Sequence, residues 1–191
     1  MAKLRHGQTF LYDDVSDDIV GIRDIDGSEL YLVPHIGAFF DTTDQTATAD
    51  TATAMTLNTA QIQRGVTLSN GSRVRVDRKA TYNVQFSAMF ANPEATAYAV
   101  SVWLARNGSA VADSCTDLTV SSKHGSVSGK AVAAWNFFID LNAGDYVELY
   151  WSTPQATVII EHQDARTTPA RPATPSVILT VNEINGQRLG V

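Results

Sequence analysis

The sequence predicts an all-β chain of antiparallel strands, a sandwich, jelly roll or barrel preceded by a short N-terminal arm. Three observations point there. Segments with two-residue alternation of apolar and polar side chains recur along the chain. Asn-Gly and Asp-Gly turn signals separate them at hairpin spacing. Charged residues make up 18% of the 191 positions, below the usual quarter, and Thr, Ala, Ser, Val and Asn fill the gap. Such a composition favours strands over amphipathic surface helices.

Residues 1–34 form the first unit. Ile19–Ile25 and Ser28–Val33 can pair across Asp26-Gly27, a dipeptide that tolerates the positive φ angles of a two-residue hairpin turn. A lone hairpin is marginal in water, so this piece must lean on the body, on sister chains or on a partner. It reads as a docking arm, with Phe10, Leu11, Tyr12, Ile19 and Ile22 as its contact residues. Asp13, Asp14, Asp17 and Asp18 crowd beside it, but their spacing lacks the glycine and terminal glutamate of an EF-hand loop, and they read as solvated loop charge.

Residues 35–191 form the body. Asp41 to Ala60 holds eight Thr and five Ala. An extended first strand with a loop is favoured there over a linker, because Ala54, Thr56 and Asn58 alternate with Met55 and Leu57. Thr59–Arg64 is the one candidate for a helical turn. Tyr82, Val84, Phe86, Ala88 and Phe90 form an inward row, followed by Val100, Val102 and Leu104. Further rows are Ala133, Trp135, Phe137, Ile139 and Leu141, then Val147, Leu149 and Trp151, then Val158 and Ile160, and last Val177, Leu179 and Val181. From these the core is expected at Tyr82, Val84, Phe86, Trp135, Phe137, Ile139, Val147, Leu149 and Leu179. Turns are expected at Asn70-Gly71, Asn107-Gly108 and Asn142-Ala143-Gly144-Asp145. Thr167–Pro175 carries three prolines in nine residues and should be an extended surface loop before a last strand over Pro175–Ile184. Phe138, Tyr146, Tyr150 and Ile159 fall on rows that would be wet in a monomer, which marks them as candidates for a contact between copies.

A search for chemistry returns little. Net charge is −6 and the fourteen basic residues are scattered, which argues against nucleic acid as a partner. The one basic cluster, Arg73, Arg75, Arg78 and Lys79, reads as a solvated strand edge. No stretch approaches the ~18 apolar residues of a membrane-spanning helix, so a membrane is not an expected partner. A single cysteine, Cys115, excludes an intrachain disulfide and is expected to be buried or half-buried. The opening Met1-Ala2-Lys3-Leu4-Arg5-His6 lacks the apolar run of a signal peptide, so synthesis in a cytoplasm is expected. His6, His35, His124 and His162 have no partner at zinc-ligand spacing and read as surface or interface residues. In Gly125-Ser126-Val127-Ser128-Gly129, valine stands where a nucleophile elbow needs serine. No phosphate-binding glycine loop is present. No catalytic residue, cofactor or metal is therefore expected, and the chain is read as a non-enzyme. Asn70-Gly71-Ser72 and Asn107-Gly108-Ser109 match the glycosylation sequon but read better as turns. Trp103, Trp135 and Trp151 lie in strands, where packing is the expected role. A sugar-stacking role is open to them, but the sequence singles none out.

Several segments, in order, carry a family resemblance. They are Gly37-Ala38-Phe39-Phe40-Asp41, the strand Ala80–Ala88, the strand and turn Val102–Gly108, the strand–turn–strand unit Trp135–Leu149 and the closing Ser176–Val181. Together, over about Gly37 to Ile184, they resemble the C1q/TNF-like jelly roll, most closely the versions in bacteriophage virion proteins. Phe10–Val15 with Asp18–Ile22 also resembles the openings of phage structural proteins. The resemblance implies a ten-stranded, two-sheet fold, a homotrimer about a threefold axis, no catalytic residues and a place on the exterior of a virion. A capsid decoration or cement protein, held by its arm to the major capsid protein or another virion protein, is the expectation. A tail fibre or tail-associated adhesin that contacts host surface glycans is a second, and a stand-alone carbohydrate-binding module a third.

Overall fold

The computed structural model describes residues 6–12, 19–27, 29–31 and 33–184. The acidic cluster at Asp13, Asp14, Asp17 and Asp18 lies outside them. Among the described residues there is no helix. The N-terminal piece carries β1 (Thr9–Tyr12), β2 (Ile19–Arg23) and β3 (Glu29–Tyr31), a three-stranded antiparallel sheet in the order β1-β2-β3. The hairpin between β2 and β3 closes at Arg23↔Glu29. Its turn is therefore longer than the two residues expected. The Gly27 amide donates to the Asp24 carbonyl at 2.9 Å, and Gly27 has φ +82, so the glycine ends a turn begun at Asp24.

The body continues with β4 (Ile36–Asp41), β5 (Thr53–Ala54), β6 (Thr59–Arg64), β7 (Val66–Ser69), β8 (Arg73–Val76) and β9 (Ala80–Asn92). Then follow β10 (Tyr98–Arg106), β11 (Ser109–Ala110), β12 (Thr116–Val120), β13 (Gly129–Leu141) and β14 (Tyr146–Ser152). The chain closes with β15 (Ile159–Ile160), β16 (Arg166–Thr167), β17 (Ala170–Arg171) and β18 (Val177–Glu183). One sheet runs β13-β9-β18-β4-β6, with β15 paired to β9. The other runs β11-β10-β14-β8-β7, with β12 on β10 and β5 on β14. Apart from β7–β8 and β10–β12, which stay within one sheet, successive strands from β4 to β15 thus alternate between sheets, as a jelly roll requires. The resemblance implied ten strands. The sheets hold six and seven, because two-residue pieces such as β5, β11 and β15 add to their margins.

The core lies between the sheets. Tyr82, Val84, Phe86, Val147, Leu149 and Leu179 are buried there, with Trp151, Phe90, Met55 and Phe39 among the largest enclosed side chains. Trp135, Phe137 and Ile139 point inward but are only half-buried, packed against the core from its margin. They stand on β13, an outermost strand of its sheet, where the opposite sheet no longer fully covers them. Phe86 meets Trp135 edge-on at 4.8 Å and lies parallel to Phe137 at 6.4 Å.

Local chemistry fixes the connections. Thr59–Arg64 is a strand and not a helical turn, since it pairs with β4 from Phe40↔Thr59 to Ile36↔Arg64. At Gly65 the chain leaves one sheet for the other with φ +62, and a Cβ there would stand 2.3 Å from the His35 ring, so only glycine fits. Asn70-Gly71 and Asn107-Gly108 have φ 49 and 71, and 52 and 80, the pattern of type I′ turns. The Asn107 side chain also reaches the next turn, donating to Asp145 Oδ1 at 2.8 Å and accepting from the Tyr146 amide at 3.0 Å. The first of these bonds, with the Asn142 amide, holds the Asp145 carboxyl below its ordinary range.

The Thr-rich segment is ordered by two buried polar residues. Asp41 accepts from the Thr43 amide at 2.8 Å, Thr43 Oγ1 at 2.6 Å, Thr56 Oγ1 at 3.0 Å and Asn58 Nδ2 at 3.3 Å. Gln45 exchanges two bonds with the Thr56 backbone, at 3.0 and 2.8 Å. Threonine and asparagine supply donors where a linker would supply only entropy. The Pro-rich stretch carries a small hairpin, β16 with β17, in place of a wholly extended loop.

Candidate interaction surfaces

Each sheet has an outer face, and the two differ. On the sheet of β13, rows of outward positions can be read straight across from the register. One is Ala134, Ser87, Ile178 and Phe40. The next is Asn136, Gln85, Thr180, Ala38 and Ile62, and the next Phe138, Asn83, Asn182 and Ile36. The one charged side chain in these rows is Arg64, which ends the last of them opposite Ile36. Lys130, Asp140 and Arg64 stand at strand ends. Phe138 is 66% exposed and Val132 62%, with Ile178 and Ile62 at 42% each. Beside this face, at the mouth of the sandwich, Arg106, Val111, Ile139 and Asp140 help to line a cavity of about 290 Å3.

The outer face of the other sheet is charged and aromatic. Arg73, Arg75, Glu148 and Asp117 all lie on it. Trp103 and Tyr150 pair across β10 and β14, with ring centroids 5.9 Å apart and planes 21° apart. Arg73 stacks over Tyr146 at 4.7 Å. Glu148 is 3% exposed although its row faces outward. Ala105, opposite it on β10, leaves room for it to sink. Its Oε1 accepts from Ser72 Oγ at 2.7 Å and faces Arg73 Nε at 3.5 Å, whereas its Oε2 is buried without a partner. Burial, then the Glu148 charge, raises the Tyr150 phenol above its ordinary range.

The four residues expected to form one contact between copies are therefore not brought together. Phe138 lies on the outer face of the β13 sheet, and half-buried Ile159 sits on β15 at the margin of that sheet. Tyr146 and Tyr150 lie on the opposite face of the molecule, half-buried by Arg73 and Trp103. In the N-terminal sheet, Phe10 pairs with Ile22, Leu11 with Gly21 and Tyr12 with Ile19. Phe10, Leu11 and Ile22 are half-buried, Tyr12 is 52% exposed, and the Phe10 and Tyr12 rings meet edge-on at 6.4 Å.

Two further residues stand apart from their sequence-based expectation. Arg78 is not solvated. Its guanidinium pairs with Glu183, with side chains 12% and 5% exposed, and donates to the Val33 carbonyl at 2.8 Å. Glu183 Oε2 also accepts from the His35 amide at 2.9 Å, so the pair clasps the chain where the N-terminal piece enters the body. The His35 ring is half-buried beside it. Burial and then Arg78 depress its pKa, against Glu183 and Asp77. Cys115, expected to be at least half-buried, is exposed. Among the described residues no group of three or more His, Cys, Asp or Glu is placed to hold a metal.

The sheet order and the packed interior define a jelly-roll sandwich. No family model matches the chain, and no curated protein matches it. Among solved structures, the Eiger TNF from S. frugiperda is similar. The TM-score is 0.52 at 12% identity, over 83% of this chain and 98% of that one. The fold is thus a TNF-like jelly roll.

Proposed function

We propose that this chain is a non-enzymatic structural protein of a bacteriophage virion, a homotrimer on the particle exterior that is anchored by residues 1–34. The observation that carries the assembly is the outer face of the β13 sheet, uncharged away from its strand ends, with Phe138, Val132, Ile178 and Ile62 open to water. An apolar face of that extent, rimmed by charge only at strand ends, is stabilised when a second copy covers it. The half-buried Trp135, Phe137 and Ile139 on the neighbouring edge offer the complementary surface. A face meeting a different edge is a heterologous contact, which forms a ring where its rotation closes, and a trimer is the ring the C1q/TNF-like resemblance implies. The separate three-stranded N-terminal sheet supports the docking role, since its outer strands β1 and β3 offer backbone for strand addition. The motif order shared with phage virion proteins supports the particle, with a capsid decoration role favoured over a tail site.

Sedimentation of the purified chain tests the assembly. A mass three times 20.6 kDa is expected, and a lone chain would overturn it. Removing residues 1–34 should leave three copies per assembly and abolish co-sedimentation with phage particles, and a map of the particle distinguishes capsid from tail.

A further inference from the structure

We infer that the outer face of the β10–β14 sheet carries a binding site for a neutral pyranose sugar, built on Trp103, Tyr150, Glu148 and Arg73. The site lies within one chain and on the face opposite the proposed contact between copies, so it stands or falls independently of the trimer.

The case begins with the aromatic pair. Trp103 and Tyr150 lie nearly parallel, and both are half-exposed although they belong to an otherwise well-packed sheet. Across the other side of β14, Tyr150 faces only Ala54 on β5. Its flank away from Trp103 is therefore bordered by nothing larger than a methyl group. A pyranose presents one face of C–H bonds to such a ring and a rim of hydroxyls to its surroundings, and tyrosine and tryptophan suit a ligand that is apolar on one side and wet on the other.

The second observation is independent of the rings. Glu148 is buried to 3% exposure, yet Oε2 has no hydrogen-bond partner. An unpaired acceptor in a buried carboxylate is costly, and a ligand hydroxyl that donates to it recovers that cost. Two residues along the same strand, and therefore on the same face, Tyr150 supplies the stacking surface. The cover over the carboxylate is Arg73, whose side chain is 41% exposed and carries rotatable bonds throughout. Rotation of Arg73 outward opens Glu148 and aims the guanidinium at a sugar oxygen. An aromatic surface with a few convergent polar groups is the make-up of a small-ligand site. Glu148 and Arg73 offset each other in charge, so the site offers an acidic ligand no net attraction, and the ligand class is accordingly a neutral hexopyranoside.

The test uses the full chain. A glycan array is followed by saturation-transfer NMR and tryptophan fluorescence with methyl glucosides, methyl galactosides and N-acetylglucosamine. At least one neutral pyranoside should bind, and Trp103→Ala and Glu148→Gln should each weaken it at least tenfold. Ala54→Gln sets a bulky side chain against that flank of Tyr150 without removing any member of the site. It should abolish binding and leave the circular dichroism spectrum unchanged, so it decides the matter if Trp103→Ala fails to fold. Trp135→Phe, on the other sheet, should leave affinity unaltered. Absence of binding to every neutral sugar, binding only of acidic or peptide probes, or binding that survives Ala54→Gln would overturn the assignment.

Discussion

The two outer faces of this sandwich are built from strands of the same kind and yet present opposite surfaces. On the β13 sheet, outward positions away from the strand ends are Asn, Gln, Ser, Thr and apolar, and four large apolar side chains stand exposed. On the β14 sheet, outward positions include Arg73, Arg75, Asp117 and Glu148, and the aromatic side chains are tucked against one another or against arginine. The difference teaches that exposure of an aromatic in sequence is a poor guide to contact. Tyr146 and Tyr150 satisfy their own surface, whereas Phe138 does not. Uncharged amides and hydroxyls around Phe138 can be desolvated at modest cost when they find partners, but a fixed charge cannot.

Placing charge on the first face should have the largest effect. Phe138→Asp combined with Ile178→Asp buries two carboxylates in the proposed contact, each at a cost of several kcal/mol. The expected outcome is a folded monomer by sedimentation at concentrations where the proposal makes the parent a trimer. Arg75→Asp, on the other face, should leave the mass unchanged. Next in size is the clasp beneath both faces. Arg78→Ala leaves Glu183 buried without its charge partner and should cost about 3–5 kcal/mol in urea unfolding. Smaller again, Arg73→Ala removes one partner of buried Glu148. It should cost about 1–3 kcal/mol with no change in mass, which separates stability on the second face from assembly on the first.

The smallest expected effect is a pH dependence. His35 is held below its ordinary 6.5, chiefly by burial. Between 6.5 and that lower value the unfolded chain binds a proton that the folded chain does not, so stability falls as pH drops through the window and is unaffected above it. His35→Gln should flatten this part of a melting-temperature profile taken between pH 5 and 8. The assembly contacts described above lie elsewhere, so the mass should not change.

Much of this architecture is legible in the sequence because a strand's period of two is local. The inward rows of β9, β14 and β18 follow from alternation alone, and Asn-Gly marks its turns because both residues take positive φ. Position within a sheet is not local. Trp135, Phe137 and Ile139 alternate like any core row, but only strand order shows that β13 is outermost and leaves them half-covered. For the same reason Phe138 and Tyr146, eight residues apart in sequence, end on opposite faces of the molecule, as consecutive strands enter different sheets. Glu148 and Arg78 were equally hidden. Their burial depends on Ala105 across one strand pair and on Glu183, 105 residues further along the chain.

The clasp at Val33–His35 has a mechanical consequence. It is followed directly by β4, which is bonded on one side to β18 and on the other to β6. A pull on the N-terminal piece in line with that strand loads both ladders lengthwise, so many backbone bonds must yield together instead of peeling one after another. A tether attached there resists tearing in the way a lap joint does, along its whole overlap at once.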